Sequence, residues 1–236
     1  MTSPELGDQP DRPFELVCFD IAGTTIADGD AVTAAFSQAY TAVGGPEDRR
    51  GLYDRFVWDT MGRSKIDVFG EWFEDGVVAR KANDAFEDCY AGFIDEGRCQ
   101  PIPGAEQTIA DLRSQGVAVA LTTGFSPTTR DRLLERVGWR DIADVVLSPA
   151  EAGRGRPFPD MVLTALLRTG ARRVQAVAVV GDTPSDVRAG CWSGAGLSVG
   201  VLTGGVEASR LFAAGASAVC PSVVDVPAVL GLRPGP

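Results

Sequence analysis

Two stretches of the chain place aspartates directly after apolar runs. The run 14–19 leads into Asp20. The run 177–180 leads, after a glycine, into Asp182, and Asp186 follows four residues later. A carboxylate at the mouth of a buried strand is energetically costly unless something binds there. If the two runs are neighbouring strands of one parallel sheet, their ends bring these carboxylates into a single crevice. Such a cluster predicts a hard cation, most simply Mg²⁺.

The composition indicates a globular protein with excess negative charge. The 236 residues are 44% hydrophobic, enough to bury a core in one large domain or in a domain with an insertion. The net charge of −10 argues against nucleic acid or a basic membrane contact as a partner. No apolar run approaches the length of a transmembrane helix and the start is not signal-like, so we expect a cytoplasmic protein. Residues 1–12 are polar and are predicted to form a flexible tail.

The cysteines and the missing histidine narrow the possible chemistry. Five cysteines are scattered without Cys-x-x-Cys spacing, and buried thiols are the simplest interpretation. The chain contains no histidine, which excludes histidine metal sites and Ser-His or Cys-His catalysis. Proton transfer near pH 7 must therefore use carboxylates, lysine, cysteine, tyrosine, water or the substrate itself.

Short apolar runs bounded by turn residues alternate with helix-like stretches over much of the chain. Besides 14–19, the predicted strands are 117–121, 145–147, 176–180, 197–202 and 218–220. Helix-like stretches such as 104–115 and 126–137 lie between them. This alternation is typical of an α/β fold with a doubly wound parallel sheet. We assign residues 13–27 and 102–236 to this core domain.

Residues 28–101 depart from this pattern, because they contain no convincing strand and carry aromatic residues at helical spacing. These aromatics are Phe36, Tyr40, Tyr53, Phe56, Trp58, Phe69, Trp72, Phe73, Phe86 and Tyr90. The segment is predicted to form an inserted helical cap domain. Closure of this cap over the core would need hinges near 28–30 and 99–104.

Four loops should meet at one edge of the predicted sheet, because ligands of open α/β sheets bind beyond the carboxyl ends of the strands. These loops are 20–25, 121–124, 154–159 and 181–186. Together they supply carboxylates, hydroxyls, backbone N–H groups and a cation, which are the groups of a phosphoryl-binding site.

Four motifs in these loops resemble those of the haloacid dehalogenase superfamily, in the same order. They are Asp20-Ile21-Ala22-Gly23-Thr24-Thr25, Thr123-Gly124, Gly155-Arg156-Pro157-Phe158-Pro159-Asp160 and Gly181-Asp182-Thr183-Pro184-Ser185-Asp186. The resemblance implies a Rossmann-like hydrolase core in which Asp20 is the nucleophile and Arg156 neutralises the phosphoryl group. It also implies Mg²⁺ as the cofactor, held by Asp20, the backbone carbonyl of Ala22, Asp182 and Asp186.

The resemblance assigns roles to the remaining polar groups of the loops. Thr24 and Thr123 would donate their hydroxyl hydrogens, and Gly124 its N–H, to phosphoryl oxygens, although either threonine could merely cap a turn. Asp186 would be a direct metal ligand or hold a metal-bound water, with an ordinary helix-start acid as the alternative. Arg154 is expected to be a solvated surface charge.

Three features narrow the resemblance to the phosphonatase branch of the superfamily. Ala22 stands where phosphatases usually carry a second aspartate, whose absence removes an acid–base contribution of about 10²- to 10⁴-fold from ester hydrolysis. Arginine, at Arg156, replaces lysine in the basic motif. The stretch Met61-Gly62-Arg63-Ser64-Lys65-Ile66-Asp67 resembles the cap-lysine motif of that branch. The branch implies that Met61 and Gly62 line the pocket and that the substrate is phosphonoacetaldehyde or a close analogue.

Lys65 would supply the electron sink that cleavage of a carbon–phosphorus bond needs, because an imine lets an enamine leave in place of a bare carbanion. Ser64 and Asp67 predict a capping box that places Lys65 in the first turn of a helix. The apolar residues expected on the same arc are Ile66, Val68, Phe69, Trp72 and Phe73. Burial and the helix dipole both favour the neutral amine. The alternative is a lysine that extends from the apolar face into solvent.

The chain departs from the phosphonatase pattern at two positions. Val68 stands in place of a histidine three residues after the lysine, and Phe125 in place of a tyrosine after Thr-Gly. A Mg²⁺-dependent phosphomonoester phosphatase is therefore the nearest alternative function, followed by a metal-free dehalogenase and a non-catalytic binding protein. The resemblance also implies a cap-mediated homodimer, with which the aromatic-rich insertion is consistent.

Overall fold

The computed structural model describes residues 13–232, so the predicted tail at 1–12 lies outside the described residues. The strands are β1 (Leu16–Asp20), β2 (Ile26–Ala27), β3 (Gln100–Pro101), β4 (Ala118–Thr122), β5 (Val145–Leu147), β6 (Val177–Gly181), β7 (Leu197–Val201) and β8 (Ala218–Cys220). Six of them form one parallel sheet in the order β5-β4-β1-β6-β7-β8. The predicted doubly wound parallel α/β class is confirmed.

The order of the strands reverses between β1 and β6. From β1 the chain builds β4 and β5 on one side of the sheet, and it then crosses to β6 and continues outward to β8. A crevice opens at such a reversal, beyond the carboxyl ends of the two strands. Asp20 is the last residue of β1, one position later than the predicted end of that strand, and Asp182 directly follows β6.

Helices connect these strands and also fill the segment between β2 and β3. The helices of that segment are α1 (Ala31–Ala42), α2 (Arg50–Asp59), α3 (Lys65–Phe73) and α4 (Gly76–Asp95). Those that flank the large sheet are α5 (Ala105–Ser114), α6 (Pro127–Arg136), α7 (Pro149–Ala152), α8 (Asp160–Thr169), α9 (Pro184–Ser193), α10 (Ala208–Ala213) and α11 (Val226–Val229). We call residues 31–95 the helical segment.

The central strand β1 is buried on both faces, which explains its continuous apolar run. Val17 and Phe19 belong to the larger apolar cluster, which also includes residues of the helical segment. Leu16 and Cys18 point to the opposite face and pack in a second cluster. The carboxylate of Asp20 is thus carried by a strand that packing holds in place on both sides.

Aromatic side chains form the interior of the helical segment. The rings of Tyr40 and Tyr53 stack with centroids 4.3 Å apart, and Phe36 contacts both Phe69 and Phe86. These side chains are buried against one another, so they do not form an exposed face. The homodimer inferred from the resemblance stays a prediction.

The connections into and out of the helical segment lie side by side. β2 and β3 pair antiparallel, with Ile26 opposite Pro101 and Ala27 opposite Gln100. The sequence pattern did not predict β3, because two residues are too few to show alternation. The boundaries of the inserted domain and its hinges stay predictions.

Within residues 13–232, no helix has the length and apolar character that spanning a membrane would require.

Candidate active site

Three buried carboxylates converge at the crevice between β1 and β6. Asp20 ends β1, Asp182 follows β6, and Asp186 lies in the first turn of α9. One oxygen from each lies within 4.8 Å of the others. The geometry of the parallel sheet therefore brings together the three acids that the sequence analysis singled out.

Arg156 reaches this acidic cluster from the loop before α8. Its Nη1 lies 2.5 Å from Oδ1 of Asp20 and also forms an ion pair with Asp186. Its Nη2 donates a hydrogen bond of 3.1 Å to Oγ1 of Thr122 on the neighbouring strand. Since the arginine and both acids are buried, the guanidinium compensates part of a charge that water cannot screen.

Burial governs the ionisation of the acidic cluster. Desolvation raises the pKa of Asp20 to about 7, against the opposing charge of Arg156. Desolvation and the charges of Asp20 and Asp186 raise the pKa of Asp182 well above its ordinary value. Three acids that face one guanidinium leave an excess of negative charge when they ionise. A divalent cation would relieve that excess, and carboxylate oxygens are the ligands that Mg²⁺ prefers.

Close backbone packing shapes the pocket around Asp182. A Cβ atom on Gly23 would lie 2.6 Å from Oδ2 of Asp182, and one on Gly204 would lie 1.8 Å from the same oxygen. The Thr203 hydroxyl joins these two loops by donating a 2.5 Å hydrogen bond to the Gly23 carbonyl. The donor set and the space around it therefore fit a metal ion held by Asp20, Asp182 and Asp186.

Asp186 has several partners in this arrangement. Its Oδ2 accepts hydrogen bonds from the backbone N–H and the hydroxyl of Thr183, at 3.1 Å and 2.5 Å, which closes a capping box on α9. Its other oxygen pairs with Arg156. Asp186 is thus both a helix-start acid and a member of the acidic cluster.

The predicted phosphoryl-binding hydroxyls take two different orientations. The Thr24 hydroxyl, expected to donate to the phosphoryl group, donates instead to Oδ1 of Asp182 at 3.0 Å. Thr24 is fully buried and therefore orients a carboxylate. Thr123 Oγ1 accepts a 3.2 Å hydrogen bond from the N–H of Phe125. Thr123 and Gly124 both line the cavity, as expected.

One cavity of about 240 Å³ adjoins both the acidic cluster and the helical segment. Asp20, Ala22 and Asp182 line it from the sheet edge, together with Thr123 and Gly124. Across from them it is lined by Met61, Gly62 and Lys65. A molecule in this cavity would contact both a carboxylate of the sheet and the amine of α3.

Lys65 is the first residue of α3 and is only 6% exposed. Its Nζ donates a 3.3 Å hydrogen bond to the carbonyl of Arg63. It lies 4.9 Å from the ring centroid of Phe125, with the rings of Phe36 and Phe86 at 5.8 and 6.0 Å. Burial lowers the pKa of Lys65 to about 8, although the negative charge of Asp20 opposes this shift. The amine therefore lies in the pocket and not in solvent.

The start of α3 differs in two details from the expectation. Ser64 is the N-cap residue, but its side chain makes no capping hydrogen bond, so the predicted box with Asp67 does not form. Ile66 is 42% exposed, whereas Val68 and Phe69 are buried as predicted. The predicted apolar arc is wrong at Ile66, because Ile66 lies on the exposed side of α3 whereas Val68 and Phe69 lie on the side that faces the interior.

Two glycines let the helical segment approach the sheet edge closely. The backbone N–H of Lys65 lies 3.4 Å from the carbonyl of Gly124. A Cβ atom on Gly124 would lie 2.4 Å from the carbonyl oxygen of Arg63. Gly62 has a φ of +81°, and a Cβ atom there would lie 2.4 Å from Oγ1 of Thr183. At positions 62 and 124, the chain before α3 and the sheet edge therefore approach each other more closely than a side chain would allow.

The sequence analysis did not single out several residues of the cavity wall, among them Thr203, Gly204 and Asp28. Thr203 and Gly204 follow β7, and the rule that placed the other loops at this edge applies to that strand as well. Asp28 also lines the cavity and accepts a 3.2 Å hydrogen bond from Tyr90. Because the chain contains no histidine, a further carboxylate beside the insertion is the sequence signal that points to Asp28.

Comparisons with known proteins agree with this arrangement. The family of haloacid dehalogenase-like hydrolases matches residues 14–194. A phosphonoacetaldehyde hydrolase of Bordetella avium (strain 197N) is 31% identical over 210 residues, which cover 81% of this chain and 72% of the relative. A ribulose-1,5-bisphosphate 5-phosphatase of Halopiger xanaduensis is 36% identical over 86 residues, which is 36% of either chain.

A solved structure supports the fold independently. The crystal structure of a hydrolase from Pseudomonas syringae superposes with a TM-score of 0.81 at 21% identity, and the match covers 92% of this chain and 98% of that one. The strand order, the acidic crevice and the family match over most of the chain lead to one conclusion. The protein is an enzyme of the haloacid dehalogenase-like hydrolase family.

Proposed function

We propose that the protein is a Mg²⁺-dependent, phosphonatase-like hydrolase that cleaves the carbon–phosphorus bond of phosphonoacetaldehyde or a close analogue. The observation that carries the proposal is that Asp20 and a buried Lys65 line the same cavity. The first can attack phosphorus, and the second can form an imine with an aldehyde.

The lysine would activate the carbon side of the substrate. The neutral Nζ of Lys65 adds to the aldehyde carbon, and loss of water gives a protonated imine. When the carbon–phosphorus bond breaks, its electron pair moves toward the iminium nitrogen and leaves an enamine. The aromatic surroundings of Lys65 favour this role, because burial disfavours the ammonium form.

Asp20 would receive the phosphoryl group. One of its carboxylate oxygens forms a bond to phosphorus as the enamine leaves, which gives an aspartyl phosphate. Protonation of the enamine carbon and hydrolysis of the resulting imine release acetaldehyde and free Lys65. Attack of water on the aspartyl phosphate releases phosphate and restores Asp20.

The remaining groups would bind and orient the phosphoryl oxygens. Arg156 supplies positive charge beside Asp20, and Thr123 and Gly124 offer donors on the cavity wall. Mg²⁺, held by Asp20, the Ala22 carbonyl, Asp182 and Asp186, would supply further positive charge that stabilises the transferring group.

Ala22 favours this reaction over ester hydrolysis. It lines the cavity at the position where a phosphatase of this family usually carries an acid, and a methyl group cannot protonate a leaving alcohol. An enamine needs no such proton as it departs. The alanine and the lysine are thus both consistent with carbon–phosphorus cleavage.

A phosphomonoester phosphatase is the second candidate. It is supported by the partial match to a ribulose-1,5-bisphosphate 5-phosphatase and by an acidic cluster that would serve either reaction. In that case Lys65 would have no covalent role.

Reduction by borohydride during turnover tests the proposal. The protein is incubated with phosphonoacetaldehyde, Mg²⁺ and sodium borohydride, and its peptides are mapped by mass spectrometry. We expect a stable adduct on Lys65 and none on exposed Lys81, the one other lysine of the chain. Phosphate release without an adduct on Lys65 would overturn the imine mechanism and favour the phosphatase.

A further inference from the structure

We propose that Asp28 carries the protons that the Lys65 nitrogen and the substrate carbonyl oxygen exchange while the imine forms. Tyr90 positions Asp28 for this role. This inference rests on the proposed function and deepens it. The need for such a group follows from the composition, because the chain has no histidine and imine formation requires several proton transfers.

Asp28 shares a cavity with Lys65. It lies in the chain between β2 and α1, and its charge acts on that of Lys65. Among the described residues, the carboxylates that line this cavity are Asp20, Asp28 and Asp182. Asp20 and Asp182 belong to the acidic cluster at the sheet edge. Glu87 also raises the pKa of Lys65, but it lines a neighbouring cavity and accepts hydrogen bonds from Ser126 and Thr129. Asp28 is thus the carboxylate of the shared cavity that lies outside the acidic cluster.

Tyr90 links Asp28 to the aromatic surroundings of Lys65. Its hydroxyl donates a 3.2 Å hydrogen bond to Oδ2 of Asp28 and lies 3.7 Å from the Cys99 sulfur. Its fully buried ring lies 4.5 Å from the ring of Phe125, centroid to centroid. The Lys65 amine lies 4.9 Å from the centroid of that same Phe125 ring.

The shifted pKa values of Asp28 and Lys65 suit proton exchange between them near neutral pH. Burial raises the pKa of Asp28 to about 6, against the Tyr90 hydrogen bond and the charge of Lys65. The other charge that acts on Asp28 is that of Asp30, which raises its pKa and is itself paired with Arg98. An acid with a pKa near the working pH is the most effective proton carrier.

The proposed transfers form a closed cycle. The Lys65 ammonium gives a proton to the Asp28 carboxylate, and the neutral amine then adds to the aldehyde carbon. A proton moves from the new C–N nitrogen to the former carbonyl oxygen. Asp28 returns its proton to that hydroxyl, which leaves as water while the nitrogen lone pair forms the C=N bond. Asp28 ends as a carboxylate and the nitrogen as an iminium.

Imine formation can be measured apart from phosphoryl transfer. The protein is treated with EDTA, acetaldehyde and sodium cyanoborohydride at pH 7, and ethylation of Lys65 is followed by mass spectrometry. We expect Asp28→Asn to slow this labelling by about 100-fold. Asp30→Asn, which removes a neighbouring exposed carboxylate, is the matched control and should stay within about twofold of the natural protein.

The sign of the effect separates proton transfer from simple electrostatics. The negative charge of Asp28 raises the pKa of Lys65, so its removal alone would leave more neutral amine and speed the labelling. Slower labelling in Asp28→Asn therefore supports the proposal. If that variant fails to fold, Asp28→Ala with added acetate replaces it, and acceleration by acetate supports the proposal whereas no acceleration overturns it.

Tyr90→Phe tests the positioning role. We expect labelling to slow by several-fold and the acid side of its pH profile to move to higher pH. The reason is that the Tyr90 hydrogen bond lowers the pKa of Asp28. An unchanged profile would overturn the role of Tyr90.

The two proposals fail in different ways. If Lys65 of the natural protein is not ethylated at all, the imine mechanism itself fails. If Lys65 is ethylated and Asp28→Asn reacts within about twofold of it or faster, only the role of Asp28 is lost.

Discussion

The two walls of the cavity differ in the groups that compensate buried charge. The sheet wall is the side lined by Asp20, Ala22, Asp182, Thr123 and Gly124, and the helical wall is the side lined by Met61, Gly62 and Lys65. The sheet edge gathers Asp20, Asp182 and Asp186 around the guanidinium of Arg156. The facing wall presents a single amine, on Lys65, among aromatic rings. Burial favours the uncharged form on both walls, since it raises the pKa of Asp20 and lowers that of Lys65.

The difference lies in what compensates that burial. On the sheet wall, Arg156 and the predicted cation would favour the ionised form of Asp20, which the proposed nucleophile needs. On the helical wall, aromatic rings surround the amine, and its neutral form is the proposed nucleophile. Under the proposed function, a single cavity would hold an anionic and an uncharged nucleophile at the same pH.

Asp20→Asn removes the proposed nucleophile of the sheet wall and should have the largest effect on activity. We expect phosphate release from phosphonoacetaldehyde to fall by at least about 10⁴-fold, because the amide is not a nucleophile. Ethylation of Lys65 by acetaldehyde and cyanoborohydride should persist, since it requires Lys65 and the proposed proton carrier Asp28 but no nucleophile at position 20. Residual phosphate release above a hundredth of the natural rate would contradict the role of Asp20.

Lys65→Met removes the amine of the helical wall and leaves the carboxylates of the sheet wall in place. We expect turnover of phosphonoacetaldehyde to fall by at least about 10³-fold, while hydrolysis of p-nitrophenyl phosphate, which needs no imine, stays within a few-fold. Lys81→Met, which alters the exposed lysine of α4, should leave both activities unchanged. Equal losses of both activities in Lys65→Met would mean that the two walls do not act separately.

Arg156→Met tests the compensation of charge on the sheet wall. Removal of one partner of a buried ion pair should lower the free energy of unfolding by about 3 kcal/mol in EDTA, measured in urea at pH 7. Added Mg²⁺ should restore part of this loss, because it binds the same carboxylates. Arg154→Met is the control, since Arg154 pairs with Asp160 at the surface and its loss should barely change the unfolding curve.

Lys65→Met should also stabilise the protein, which sharpens the contrast between the walls. The pKa of Lys65 falls from 10.5 to about 8 on folding, so the buried ammonium opposes folding fully below pH 8. That penalty fades as the pH rises from 8 to 10.5, because the unfolded state then binds the extra proton. We expect the variant to gain about 2 kcal/mol at pH 7 and markedly less at pH 10, from urea unfolding at both pH values. A gain that does not change with pH would assign the effect to packing.

The acids of the sheet wall could be predicted from the sequence. An apolar run that ends in a carboxylate fixes both a strand and the end at which the acid lies. Parallel strands then bring Asp20 and Asp182 to one edge without any knowledge of their distance in the chain. The start of α3 at Lys65 was also predicted correctly, although the capping box from which it was inferred does not form.

The contacts that could not be predicted depend on how distant parts of the chain pack. The Thr24 hydroxyl turns to Asp182, 158 residues away, and Tyr90 bonds to Asp28, 62 residues away. Neither hydrogen bond can be predicted from the spacing of residues along the chain. The failed capping box at Ser64 has the same origin, since the residues before α3 are held by the sheet edge and not by the helix alone.

The close approach at Gly62 and Gly124 carries a consequence for how this enzyme tolerates mutation. Neither glycine has a reactive side chain, yet a Cβ atom at either position would lie 2.4 Å from an atom across the cleft, so the chain before α3 or the sheet edge would have to shift. Such a shift would alter the spacing between Lys65 and Asp20, the two proposed nucleophiles. Saturation mutagenesis should therefore find intolerance at two places where a search for reactive groups would find nothing.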